Sequence, residues 1–393
     1  MATDSLSPLR MVQRQGGAIF GDGAIAPIHY GPTDATAQNT QETEELARSA
    51  ARSRVALVDL SDWTRLRVTG ADRLTFLHNQ TTNDFKSLQP GQGTIAAIVN
   101  ATARPLDLAT AWVTEAAVLL LASPGMAERL LTWFDRFIFP MDRVEVANAQ
   151  GSAIAFSLIG PEACALLQTL GIHGEDLEPH GHRLVELAGV PVRLAAGSGL
   201  AEPGFTLWIE VEDGTEGPGD VLGDRAAIVW QTLTAAGAVP LGSEGWQRLR
   251  IEDGRPWPGT ELTEDFNALE AGLWGAVSFQ KGCYIGQETI ARLDAYDGVK
   301  QYLYGFRFDR PVAVGADLVV VDPDQPEQEE AGQRAAGRLT SVLADGAKGA
   351  IALGYLRRKA GGPGTVVTTT AADGTAVMAP AIALPFISYG REK

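Results

Sequence analysis

Between Ser278 and Arg292 the chain reads Ser-Phe-Gln-Lys-Gly-Cys-Tyr-Ile-Gly-Gln-Glu-Thr-Ile-Ala-Arg, a stretch that leaves the backbone few options. Gly282 and Gly286 bracket Cys283 and allow a tight turn or the close approach of a ligand. The run from Gln287 to Leu293 is rich in helix formers and carries Glu288 in what would be the first turn. That predicts a helix starting just after Gly286. A thiol near a helix N-terminus and beside the ammonium of Lys281 should ionise more easily than a free cysteine, so reactive chemistry is one expectation for Cys283. The plainer one is a small buried side chain, the common fate of a lone cysteine.

A chain of 393 residues exceeds one ordinary core, which predicts two or three domains. Its 45% hydrophobic and 20% charged residues are those of a soluble globular protein. The formal net charge of −16 argues against non-specific binding to nucleic acid or to an anionic membrane surface. An anionic ligand would need a local basic pocket against that field. The cysteines, Cys164 and Cys283, are too few for a disulfide framework and suit a reducing cytosol. Met1–Thr40 lacks the basic-then-apolar pattern of a signal peptide, and no apolar run is long enough to span a bilayer. A cytoplasmic location is expected.

Hydrophobic periodicity predicts a helix over Gln41–Arg54, strands over Val55–Leu60 and Trp63–Thr69, and a helix over Gly70–His78 with Leu74, Phe76 and Leu77 inward. Strands follow at Ile95–Asn100, Leu108–Val113 and Ala117–Ala122, then a helix over Gly125–Phe139 and a strand over Val144–Val146. This β-α-β-β-α-β order points to an α+β module with helices on one face of a mainly antiparallel sheet. Pro161–Leu170 reads as a helix with Ala163, Leu166, Leu167 and Leu170 on one face, and Cys164 beside them as packing. Phe205–Val211 is a predicted strand; Val221–Ala236 and Ser243–Glu252 are predicted helices. From Gln301 onward strand signals and glycine turns predict a small all-β barrel or sandwich, with Asp322–Glu330 as an exposed loop.

Ser278–Glu288 closely resembles the K-G-C-Y-x-G-Q-E signature of the YgfZ-type folate-binding proteins, relatives of the glycine-cleavage aminomethyltransferase (T-protein). The similarity extends to Gly70–His78 with Thr82-Asn83-Asp84 and Leu88–Gly93, to Gly199–Phe205, to Leu249–Pro256 and to Ala352–Arg357. It implies an α+β, three-domain aminomethyltransferase-like ring binding folate in a central hole. The implied division is a discontinuous domain of residues 1–62 plus 151–260, an inserted α+β domain over 63–150, the cysteine segment over 261–300, and a C-terminal β-barrel over 301–393. Departures from the aminomethyltransferase pattern stand out. Ala103-Arg-Pro-Leu-Asp107 replaces Gly-Gly-x-x-Asp-Asp, leaving Asp107 matched and Leu108 in place of the second aspartate. Trp246 stands where those enzymes have an arginine, and Asn267–Glu270 lacks the proline that the family usually has two residues before the glutamate.

The resemblance implies that Glu202 contacts the pterin, and a carboxylate suits the N–H pair on an aminopyrimidine edge. By itself Glu202 is equally an exposed turn residue. Asp107 is a candidate acid or base, or a group orienting a reduced folate, and alternatively a partner for Arg104. Arg250 could meet the glutamate tail of folate or pair locally with Glu252. Phe205 and Tyr284 offer ring surface, and Lys281 with Arg292 would make the surroundings of Cys283 electropositive. The histidines, His78, His180 and His182 among them, show no paired metal spacing, and His180-Gly-His182 reads as a loop. No metal is expected, and no P-loop, G-x-S-x-G or H-E-x-x-H motif is present.

These residues support a tetrahydrofolate-binding accessory protein in which Cys283 and Lys281 serve the assembly or repair of iron–sulfur clusters in client enzymes, a partner class implied by the resemblance. The alternative is a folate-dependent one-carbon transferase or demethylase using Asp107. A folate store without chemistry is a third reading.

Overall fold

The computed structural model describes residues 7–31, 37–211, 218–321, 335–386 and 390. The expected exposed loop Asp322–Glu330 lies outside the described residues. The chain forms two compact units. The first comprises Met1–Gln80, Asp84–Ala96 and Ala109–Gln247; the second comprises Thr81–Asn83, Ala97–Leu108 and Arg248–Lys393.

The first unit is built on a six-stranded sheet in the order His182–Leu187, Val190–Ala196, Gly204–Glu210, Ala153–Ile159, Ala56–Asp59, Val239–Leu241. All neighbours are antiparallel except the last pair, which is parallel. Ala153–Ile159 is buried at every position, so its sequence shows no polar alternation. Helices Ser7–Gln15 and Pro218–Ala235 bring Leu9, Leu222 and Trp230 into one core with Leu57, Phe156 and Leu158. Each such side chain contributes roughly 1.5–3 kcal/mol on burial.

A second, five-stranded sheet runs Gly93–Val99, Pro105–Val113, Ala117–Ala122, Thr64–Thr69, Glu145–Asn148. Helices Arg73–Gln80 and Ala127–Asp135 bury Phe76, Leu77, Leu130 and Phe134. The inward face of the first of these helices is rotated from the expected one. Leu74 is only half-buried, and His78 turns inward with its Nδ1 3.0 Å from Asp84. His182 also departs from its expected loop and opens a strand, with Nε2 donating to the Val113 carbonyl at 2.8 Å. Burial, then the nearby Arg193 guanidinium, pushes its pKa down to about 4.

The second unit carries a six-stranded antiparallel sheet in the order Gln301–Phe308, Ala350–Arg357, Gly337–Ala344, Asp317–Val320, Val366–Thr370, Ala376–Pro380. Tyr302, Tyr304, Phe306 and Phe308, two apart along the first strand, all face one core. The sheet curls: Gly305 and Ile382 exchange two backbone hydrogen bonds, at 3.0 and 2.8 Å. A register shift between Leu339 and Ser341 marks a bulge at Thr340. The result is the predicted α+β architecture with a C-terminal sheet curled into a half-barrel. Among the described residues no helix is long and apolar enough to cross a membrane.

Candidate functional site

The cysteine loop is held by its neighbours rather than by the cysteine. The Lys281 ammonium, buried, donates to the Thr81 carbonyl at 2.8 Å and the Asn83 carbonyl at 2.6 Å. It also lies 4.5 Å from the centroid of the Tyr284 ring, a cation–π distance. Thr82 completes the clamp: its Oγ1 donates to the Ala276 carbonyl at 2.6 Å, and its carbonyl accepts from Ser278 N at 2.9 Å. Tyr284 is half-buried, and burial pushes its hydroxyl up to about 12. Cys283 itself is exposed.

The helix Gln287–Ala295 begins where the glycine spacing predicts, with Gly286 as N-cap at φ +83°. A Cβ on Gly286 would lie 2.8 Å from the Asn100 carbonyl oxygen, whereas Gly282 faces open space. Gly286→Ala is therefore expected to cost about 1–2 kcal/mol from the left-handed backbone alone, and more from the contact with Asn100. Calorimetric unfolding should show a lowered midpoint; an unchanged one would contradict this account of the turn.

Glu202 lies in the first unit, in the connection between strands Val190–Ala196 and Gly204–Glu210. Gly199, at φ +84°, and a hydrogen bond from Ser198 Oγ to the Glu202 carbonyl at 2.6 Å shape this turn. The Glu202 side chain is 11% exposed, and its Oε1 accepts from Nη1 of Arg52 on the helix Ala37–Ser53. Its Oε2 is buried and, among the described residues, accepts no hydrogen bond. Phe205 is buried in the apolar core of that unit, its ring against Gly174.

Asp107 and Arg250 sit in the second unit. Asp107 is fully buried, and its Oδ1 accepts from Leu108 N at 2.7 Å. Its charge acts on Arg255, whose guanidinium burial pushes down to about 10 while Asp107 opposes that fall. Arg104, weighed as a partner for Asp107, lies instead 3.8 Å from Glu270 and donates to the Asp265 carbonyl at 3.0 Å. Glu252, weighed as a local partner for Arg250, takes Arg248 at 3.2 Å. Arg250 donates to Glu261 at 2.9 Å and to Ser341 Oγ at 3.0 Å, with its guanidinium over the Trp257 ring.

Cys164 packs against the first unit's core, and burial followed by the nearby Glu175 charge raises its thiol pKa. Trp246 is buried, with its ring 5.0 Å from that of Trp63 in an edge-on contact. Two groupings escaped the sequence. Glu261, fully enclosed, gathers hydroxyls from across the second unit. His29, Glu44 and Glu244 bring possible ligand atoms within 4.8 Å of one another. Neither grouping has a local spacing that announces it.

The model of the GCVT N-terminal domain matches residues 10–281. A chloroplastic protein of Arabidopsis thaliana, named as a putative transferase, is 38% identical over 362 residues, covering 92% of this chain and 76% of that protein. An aminomethyltransferase of Thermosynechococcus vestitus is 26% identical over 317 residues, covering 78% of each chain. The crystal structure of the glycine cleavage system aminomethyltransferase T from Bartonella henselae superposes with a TM-score of 0.76, covering 98% of this chain and 99% of that one at 22% identity. That likeness agrees with the α+β sheets and curled C-terminal sheet described above. The chain belongs to the family of the GCVT N-terminal domain, the folate-dependent aminomethyltransferase-like proteins.

Proposed function

We propose that this chain is a tetrahydrofolate-binding accessory protein that presents Cys283 to iron–sulfur proteins during assembly or repair of their clusters. The observation that carries the reading is an exposed thiol on a loop whose other members are fixed: Lys281 by two carbonyls, Gly286 by its N-cap geometry. Such a thiol can reach a partner without reorganising the protein around it. Clusters usually take about four protein ligands, so Cys283 acts as one transient ligand while the client or carrier supplies the rest. The iron–sulfur clients rest on the likeness of Ser278–Glu288 to the YgfZ-type signature.

Reduced folate fits Glu202. A buried carboxylate oxygen without a donor is an unfavourable arrangement that the N–H pair of an aminopyrimidine would relieve. When bound, the folate supplies one-carbon chemistry at its reduced pterin; Glu202 would hold the ring edge, with Arg52 fixing the carboxylate. Asp107, Arg250, Phe205 and Tyr284 complete the set of proposed folate residues. With Asp107 and Phe205 buried and Arg250 engaged with Glu261, the part of each is to fix the local frame of its own unit.

A second reading, folate-dependent one-carbon transfer, draws on the same Glu202 oxygen. Against it stand Leu108 in place of a second aspartate and the burial of Asp107. One experiment separates them. Cys283→Ala should leave folate binding intact and abolish rescue of cluster-dependent enzymes in a strain lacking the protein. In the native parent, iodoacetamide should label Cys283 much faster than Cys164. Rescue by the alanine variant as good as the parent's would end the accessory reading. Methylenetetrahydrofolate formation from an aminomethyl carrier, undiminished by that substitution, would establish the second.

A further inference from the structure

The second unit contains a cleft of about 1050 Å³ in which two segments distant in sequence bring cations together. Gln301 and Arg357 are partners in the pairing of their strands, and Arg358 N donates to the Lys300 carbonyl at 2.8 Å. Lys300 and the run Arg357-Arg358-Lys359 therefore line the same opening. Arg104 adds another guanidinium.

The carboxylates of the cleft neutralise only part of this charge. Asp297 is taken by Arg358 at 2.6 Å. Glu270 is buried, 3.8 Å from Arg104, and accepts from Asn267 N at 3.1 Å. Burial raises the Glu270 pKa. Asp265 is the remaining carboxylate of the lining. Among the described residues, Lys300, Arg357 and Lys359 have no carboxylate in ion-pair range. A chain of net charge −16 thus keeps a concave, cationic surface, and Leu293 and Val299 add apolar wall to it.

We propose that this cleft binds a small polyanion, a molecule carrying two or more carboxylate or phosphate groups. Clustered cations gain by binding one multivalent anion what separate ions would each lose in ordering. Guanidinium groups receive carboxylate and phosphate alike through paired N–H bonds, so both chemistries stay within the class. The inference does not rest on Cys283 or on Glu202.

The test is calorimetric titration of the full chain with citrate and, separately, with tripolyphosphate, at low and at high salt. Binding of at least one is expected, weakened by salt. The double variant Lys300→Ala/Lys359→Ala should bind about tenfold more weakly or worse, while Lys300→Arg/Lys359→Arg should retain affinity. Both lysines are exposed, so their replacement leaves the packing in place. Binding of citrate alone identifies a polycarboxylate, and of tripolyphosphate alone a phosphorylated ligand. Failure of both to bind overturns the proposal. So does undiminished binding to the alanine variant, which would place the anions elsewhere on the surface.

Discussion

Glu261→Gln is expected to destabilise the second unit by about 3–5 kcal/mol, the usual cost of leaving one member of a buried ion pair unmatched. The Glu261 side chain is 0% exposed and opposes Arg250, itself only 6% exposed, at 2.9 Å. Its Oε2 also accepts from Trp257 N at 3.2 Å and Thr260 Oγ1 at 2.7 Å. Its Oε1 accepts from Thr340 Oγ1 and Ser341 Oγ, both at 2.6 Å. An amide in this place brings its own N–H groups against donors and removes the charge that matches the guanidinium. Urea unfolding followed by fluorescence should show the loss, with Arg250→Met added to the variant recovering part of it. A loss below about 1 kcal/mol would mean that Arg250 has another way to be satisfied.

Glu202→Ala is expected to weaken reduced-folate binding about ten- to a hundredfold, since a hydrogen bond to a charged group contributes roughly 1.5–3 kcal/mol. Stability without ligand should barely change. Arg52 is 46% exposed and regains water when its partner is removed, so the ion pair adds little to folding. Separating affinity from stability is what distinguishes a binding carboxylate from a turn residue. Calorimetry with tetrahydrofolate, paired with thermal unfolding of the free protein, reads both. Equal affinity of parent and variant would remove Glu202 from the folate site.

What the sequence makes legible follows the range of the forces involved. The turn at Gly286 and the helix after it depend on residues within a few positions of each other, and both lie where the spacing predicts. Helix Ser243–Asp253 and strand Ala117–Ala122 likewise fall on their periodic patterns. Ala153–Ile159 was not legible because burial of every residue erases alternation. The hairpin His182–Leu187 and Val190–Ala196 turns through Ala188 at φ +51° and Gly189 at φ +80°. Alanine at the first of these positions hides a turn that asparagine or aspartate would announce. The Glu261 network was out of reach for a further reason. The bulge at Thr340 lets consecutive hydroxyls reach one oxygen, which strict alternation forbids. In the candidate site the cysteine loop was visible as a local motif. The Arg52–Glu202 pair and the Lys281 clamp needed partners supplied by distant chain.

The exchange of hydrogen bonds between Gly305 and Ile382 has a bearing on self-association. An open sheet ends in two rows of unpaired amides and carbonyls, each a template on which another molecule can build. Here the first strand of the C-terminal sheet spends part of its outer row on the segment that follows the last strand, so some of that row is already occupied. The glycine also lets the two come close: a Cβ on Gly305 would sit 2.8 Å from the Leu384 side chain. The clasp thus works as a guard against strand addition, and it does so with a residue that has no side chain to offer.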